Sequence, residues 1–342
     1  MINILKFNID IEPPKPFIHF KPNALKVIDQ IDYNRQLAVT FTPDEKNFFL
    51  VRTNKTYPYF GELIPYETKS YATFEKMNPS SSFTAREFYI SGEEENTKWS
   101  LVSGKNFVVV NYQPILRDNS TIFVIDTTDK NKSKTIVTNQ EISTSRFSIT
   151  ALTLTKNEKN IIFINDLSND IKRDLRLNIR TLSYQRLDST LKNFQLPNNG
   201  YCPSPISSIK VSKDDGLLFA VSCDLLIYNI NNLQMPTLES SYKLDDISRT
   251  LAFTLSKDEK ILYLLGQSFF GLDRLLVLDI SNTKSPRLLS TMSIERTGSN
   301  AIELTFSHSK VSLLWFLGLE KMTFFFNIII FLLSTFPTAK II

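Results

Sequence analysis

The chain has 342 residues, 42% of them hydrophobic and 22% charged, a globular composition that excludes wholesale disorder. Its 39 Lys and Arg nearly balance 35 Asp and Glu, leaving a net charge of +4. A nucleic-acid reader concentrates its positive charge, whereas here no block of five or six like charges occurs, so that class of partner is set aside.

Residues 1–24 read as an N-terminal leader. The stretch MINILKFNIDIEPPKPF carries Asp10, Glu12 and a proline pair too early for the uninterrupted apolar region of a signal peptide, which points to a cytosolic chain. Two cysteines, Cys202 and Cys223, give no CxxC pair and no disulfide framework. Both lie near strand-like stretches, where a buried free thiol is expected.

From residue 34 a phrase recurs. NRQLAVTFTPDEK (34–46) returns as SRTLAFTLSKDEK (248–260), with weaker copies in WSLVSGK (99–105), ITALTLTKNEK (149–159), SSIKVSKDDG (207–216) and IELTFSHSK (302–310). The copies are spaced 44 to 59 residues apart. Four-stranded propeller blades repeat at about 40–50 residues, and longer loops accommodate the rest. In the copy at 248–260, Leu251, Phe253 and Leu255 alternate with other residues, a polar turn follows, and Ile261–Leu265 form a second apolar run. Alternation, an Asp-bearing turn and a β-rich run together predict a hairpin, with the Asp accepting backbone N–H groups in the turn. The stretch 168–193 is helical in composition but occupies a strand position in this register, and strands are expected there.

A second phrase completes each unit. IFVIDTTDKNKSKTIVT (122–138), LLIYNINNLQMPTLESS (225–241) and LLVLDISNTKSPRLLST (275–291) each run an apolar strand into Asp126, Asn229 or Asp279, then a polar turn, then a strand. Pro236 and Pro286 sit at equivalent places, which suits a position just before an edge strand. Two hairpins make four strands per unit. The stretch LLVLDISNTKSPRLLS resembles the LVIVD repeat, and LAFTLSKDEKILYLL is similar to a stretch shared by LVIVD and WD40-like propeller blades. Val277, Asp279, Ser281 and Pro286 fall on the repeat's pattern positions, Asn229 and Asn231 replace the Asp and Ser one unit earlier, and the unit around Asp126 lacks the Pro. The Gly-His and Trp-Asp marks of WD40 blades are missing. The resemblance is good over 207–310 and poor at 52–98 and 166–200; it implies a scaffold or surface-recognition role and no single chemistry.

The tail, residues 311–342, departs from the repeat. Between Lys321 and Lys340 lie 18 uncharged residues, 322–339. A helix of that length spans roughly 27 Å, close to a bilayer core of about 30 Å. Three readings stand side by side: a C-terminal membrane anchor, closing strands of a last blade, as the Phe and Ile runs favour, or a truncated end that leaves the ring incomplete.

No residue is assigned a catalytic, cofactor-binding or metal-binding role. His19 and His308 have no Cys or carboxylate at ligand spacing, and no GxSxG, GxxxxGK[ST] or GxGxxG motif occurs. Glu93, Glu94 and Glu95 read as a solvated loop face. Asp44, Asp214, Asp258 and Asp279 are repeat positions that turn formation explains, while Trp99 and Tyr201 are aromatic residues that a blade-face groove would use. The expected architecture is an all-β propeller of about six four-stranded blades over 25–310 with a hydrophobic tail. The expected function is a non-enzymatic scaffold presenting blade loops to a protein partner, tethered to a membrane if 322–339 is an anchor. The alternatives are a propeller hydrolase of the lactonase type, which needs convergent carboxylates, His or Asn at the axial strand ends, and an incomplete fragment without activity.

Overall fold

The computed structural model describes the backbone of residues 2–8, 23–31, 38–43, 47–53, 60–67, 86–89, 97–114, 120–127, 135–142, 148–166, 175–183, 186–187, 192–196, 206, 208–269, 273–294, 299–307, 311–321 and 324–334. Every regular element among them is a β-strand. Strands β1 (Ile2–Asn8) and β2 (Asn23–Ile31) pair antiparallel. Then come antiparallel sheets in chain order. The first comprises β3 (Ala38–Phe41), β4 (Asn47–Thr53), β5 (Phe60–Glu67) and β6 (Arg86–Tyr89). The second comprises β7 (Thr97–Ser103), β8 (Phe107–Pro114), β9 (Ser120–Asp126) and β10 (Thr135–Ile142). The third comprises β11 (Ser148–Leu154), β12 (Asn160–Asp166) and β13 (Leu175–Ser183), to which the short β14 (Arg186–Leu187) and β15 (Lys192–Gln195) both pair. The fourth is β16 (Ser208–Val211), β17 (Leu217–Val221), β18 (Asp224–Asn229) and β19 (Thr237–Lys243), and the fifth is β20 (Ile247–Leu255), β21 (Ile261–Ser268), β22 (Asp273–Asp279) and β23 (Arg287–Ile294). Finally β24 (Ser299–Ser307), β25 (Val311–Lys321) and β26 (Phe324–Ser334) join the first two strands in the order β2-β1-β26-β25-β24, with β1 parallel to β26. Of the stretch 168–193 expected as strands, the described residues 175–183, 186–187 and 192–193 are strands, and the others lie outside the described residues.

The chain divides into two compact units. One holds residues 35–68 and 78–241; the other holds 1–34, 69–77 and 242–342. In the first, successive sheets pack face to face, and the period-two geometry of a strand decides which residue goes where. Val108, Val110 and Tyr112 of β8 pack with Phe49, Val51 and Leu63 of the preceding sheet, while Phe107 and Val109 pack with Ile149, Leu154, Ile161 and Phe163 of the following one. On β12 the split repeats: Ile161 and Phe163 face back, and Ile162 and Ile164 face forward onto Val211, Leu218 and Ala220. Each inner strand is therefore covered on both faces. That is why the sequence writes it as an unbroken apolar run rather than an alternation. Ile161 to Ile164 are all 0% exposed, and burying each such side chain contributes about 1.5–3 kcal/mol relative to leaving it in water.

The second unit repeats the pattern. Leu262 to Leu265 on β21 and Leu275 to Leu278 on β22 are buried, whereas the outer strand β23 is exposed along most of its length. Pro236 and Pro286 immediately precede the outer strands β19 and β23, each at the edge of its sheet.

One of the open readings of the tail gains support, and one expectation is corrected. In the tail the described residues 311–321 and 324–334 are strands, as the closing-strand reading expects: β25 and β26 pair in continuous register, with Trp315 opposite Ile330, and among the described residues no helix is long and apolar enough to cross a membrane. The runs Phe324–Phe326 and Ile328–Ile330 carry the aromatic and β-branched side chains that suit a pleated strand, and β26 lies inside its sheet between β1 and β25. The correction concerns Cys223, which is disulfide-bonded rather than a free thiol, and no described cysteine is free. Cys202, the other cysteine of the sequence, lies outside the described residues.

Candidate functional site

The recurring phrase ends in one turn, built three times over. In 212–217 the Ser212 hydroxyl donates to Asp214 Oδ1 at 2.6 Å, the Gly216 N–H donates to the same oxygen at 3.0 Å, and the Leu217 N–H donates to Ser212 Oγ at 2.8 Å. The copy at 155–160 uses Thr155 and Asn157 in the same roles, with Thr155 Oγ1 to Asn157 Oδ1 at 2.9 Å and the Lys159 N–H to that oxygen at 2.9 Å. The copy at 256–261 uses Ser256 and Asp258, with the hydroxyl at 2.6 Å. In all three, the residue after the Asp or Asn adopts a left-handed backbone: Glu158 has φ 56°, Asp215 60° and Glu259 56°.

These contacts set the charge state of the aspartates. The Ser212 hydroxyl, then the Gly216 N–H, holds Asp214 below the usual carboxylate range. Partial burial works against the charge of Asp258, but the Ser256 hydroxyl, the Lys260 N–H and the Lys260 charge outweigh it and the net direction is again down. The same balance holds at Asp279, where burial is outweighed by Ser281 and Arg287.

Asp279 organises the second phrase. Its Oδ1 accepts from the Ser281 N–H at 2.9 Å and the Ser281 hydroxyl at 2.6 Å, and its Oδ2 from Arg287 Nε at 2.9 Å and Nη2 at 2.7 Å. One unit earlier Asn229 Oδ1 accepts from the Asn231 N–H at 3.1 Å and Nδ2 at 3.0 Å. The turn survives the change of residue because a single side-chain oxygen suffices for it. In the Asn229 copy Thr237 stands where Arg287 does, so the charge-assisted clasp has no counterpart there.

The left-handed acid of the turn does something the sequence did not reveal. Glu158 reaches the turn of the preceding sheet, where its carboxylate accepts the backbone N–H groups of Lys105 and Asn106 and, at 2.8 Å, Asn106 Nδ2. Asp215 repeats the reach one sheet later, accepting from the Lys156 N–H at 2.5 Å and the Asn157 N–H at 3.1 Å. Successive sheets are thus latched, carboxylate to backbone, at their turn ends. The signal was available: an acid follows the Asp or Asn at Glu45, Glu158, Asp215 and Glu259, but a repeat motif does not say whether its acid serves its own turn or the next.

Asp214, Asp258 and Asp279 are turn residues as expected. Asp44, His19, His308, Tyr201 and Glu93–Glu95 lie outside the described residues, and Trp99 sits on β7 opposite Tyr112. Among the described residues no group of three or more His, Cys, Asp or Glu is placed to hold a metal ion. Among the described residues the exposed large apolar ones are Met235 (67%), Phe269 (64%), Leu288 (44%) and Leu238 (37%). Leu238 and Leu288 hold the same repeat position on the outer strands β19 and β23.

No protein-family model and no curated protein sequence matches this chain. Solved structures do. The chain is similar to the periplasmic gluconolactonase of Pseudomonas aeruginosa, at 11% identity and TM-score 0.59, over 87% of this chain and 85% of that one. It is similar to a 6-phosphogluconolactonase candidate of Bacteroides uniformis, at 8% identity and TM-score 0.55, over 85% and 83%. It is also similar to a chain of the mitotic checkpoint complex, at 9% identity and TM-score 0.50, over 92% and 86%. At such identities the likeness establishes the fold alone. The chain has a propeller-like, all-β architecture built mostly of antiparallel four-stranded sheets.

Proposed function

We propose that the protein is a six-bladed propeller of the LVIVD-like kind that acts as a non-enzymatic scaffold for a protein partner. The strands support six blades, with β24–β26 and the N-terminal β1 and β2 forming the last. The observation that carries the scaffold reading is the pair Leu238 and Leu288: two leucines exposed at one repeat position, each on an open edge strand, with Met235 exposed in the turn that leads into β19. Asp214, Asp258, Asp279, Glu158 and Asp215, by contrast, are engaged in holding turns or latching sheets. The likeness to a chain of a structure named as the mitotic checkpoint complex supports this reading. The test is cross-linking of the full chain in cell extract, comparing wild type with Leu238→Glu, Leu288→Glu and Met235→Glu. A partner retained by all three folded variants would sink the reading.

A second reading, lactone hydrolysis, is favoured by the likeness to gluconolactonases. Assay of gluconolactone and its 6-phosphate against the uncatalysed rate separates the two. Turnover above background places the enzyme reading first. The disulfide at Cys223 favours an oxidising compartment over the cytosolic placement expected from the leader. Alkylation of thiols in intact cells before lysis tests this, since a fully modified Cys223 excludes it.

A further inference from the structure

The layer between the second and third sheets changes character along its length. At the turn end stands the Glu158 latch, and Phe107, Val109, Ile161 and Phe163 fill the middle. Beyond them the next residue on the same face of β8 is Asn111, and the next on β12 is Asn165. Asn178 of β13 lies directly opposite Phe163 and so shares that face. Phe107 and Asn160 close their turns in the same way, each carbonyl accepting the N–H of the residue that opens the turn. Counted from them, Asn111 and Asn165 differ by one residue, about 3.3 Å in height. Asn165 and Asn178 are diagonal neighbours across a strand pair, roughly 7–8 Å apart.

All three asparagines are buried, at 1% exposure for Asn111, 6% for Asn165 and 1% for Asn178. Asn111 Nδ2 donates to Ser100 Oγ at 3.3 Å and Asn178 Nδ2 to the Arg176 carbonyl at 3.0 Å. The Oδ1 atom of each accepts no hydrogen bond from any described residue. A buried amide oxygen without a donor is costly, and folded proteins supply one. Three in a single layer point to a shared guest rather than three separate defects.

We propose that this layer is a buried hydration site, in which water molecules donate to the three asparagine oxygens and bridge the two sheets. The guest must bring donors, which excludes anions. Three neutral amide oxygens with no carboxylate beside them make a weak site for a divalent cation, which Asp or Glu carboxylates ordinarily help to hold. More than one water is needed, because each has only two O–H groups for three acceptors.

The decisive experiment is a high-resolution crystal structure of the wild-type chain, read together with melting of Asn111→Leu and Asn165→Leu. Solvent density within hydrogen-bonding distance of all three Oδ1 atoms is expected, as is a melting point lowered by about 2–4 °C in each variant, because leucine deprives the remaining waters of an acceptor. Absence of that density overturns the proposal even where a variant fails to fold. So does a melting point unchanged or raised by leucine, the behaviour of an amide replaced in a dry layer. Melting that rises with KCl but not with choline chloride replaces water by a cation and overturns it equally.

Discussion

Glu158 holds Asn106 from 52 residues away, taking both its backbone N–H and its side-chain amide on one carboxylate. The contact joins two sheets at their turns, where apolar packing gives out. Charge-assisted hydrogen bonds are stronger than neutral ones and fix geometry as well as energy. A thermodynamic cycle on Glu158→Ala and Asn106→Ala, followed by urea unfolding, should show a coupling of about 0.5–3 kcal/mol. Asp215→Ala removes the next latch at a different interface, and its cost should add to that of Glu158→Ala. Strict additivity within the Glu158–Asn106 pair would remove the latch from the account.

Gly104 is where that latch demands glycine. A Cβ placed there would press against the Glu158 carboxylate and come within 2.7 Å of Leu154 Cδ2. Gly104→Ala should therefore cost about 1–3 kcal/mol, the range for overpacking. In a Glu158→Ala background the cost should shrink, since the main obstacle is gone. An undiminished cost would place the clash on Leu154 alone.

The three turn aspartates make stability pH-dependent with a definite sign. Asp214, Asp258 and Asp279 all sit below their ordinary value, so in that window the unfolded chain binds more protons than the folded one. Their contribution is complete above the unfolded pKa of about 3.9 and is lost as pH falls through the lower folded values. Guanidinium midpoints measured from about pH 6 to pH 2 should fall steeply at the acidic end. Ser212→Ala removes the strongest influence on Asp214 and should flatten that fall. A slope identical to wild type would show that Ser212 does not set the charge state of Asp214.

The turn chemistry was readable in the sequence because it is local: Ser or Thr, one residue, then Asp or Asn is enough to close the hairpin, and the aspartates do what that spacing implies. The alternation read at Leu251, Phe253 and Leu255 was only half of the truth. Residues 251–254 are all buried, because the strand is covered on both faces, and coverage is a property of neighbouring sheets that one strand does not encode. The same limit hid the latches and the asparagine layer. Asn111 and Asn165 lie 54 positions apart in the sequence and meet one layer only through the stacking of sheets. The tail stayed ambiguous for a related reason: a stretch apolar at odd and even positions satisfies both a bilayer and a sheet interior, and its length fits either.

Cys223 offers the last test. It lies in the tight turn between β17 and β18, where the Ser222 N–H donates to the Asp224 carbonyl at 3.0 Å, and it is buried and disulfide-bonded. A disulfide restricts the unfolded chain, a constraint worth about 2–4 kcal/mol in typical cases. Reduction under native conditions should therefore lower the melting temperature, and Cys223→Ser should lower it to the same extent with no further response to reductant. Thiol titration of the unfolded, unreduced protein should find no free cysteine, and two equivalents after reduction. Two free thiols before reduction would remove the bond and, with it, the case for an oxidising compartment.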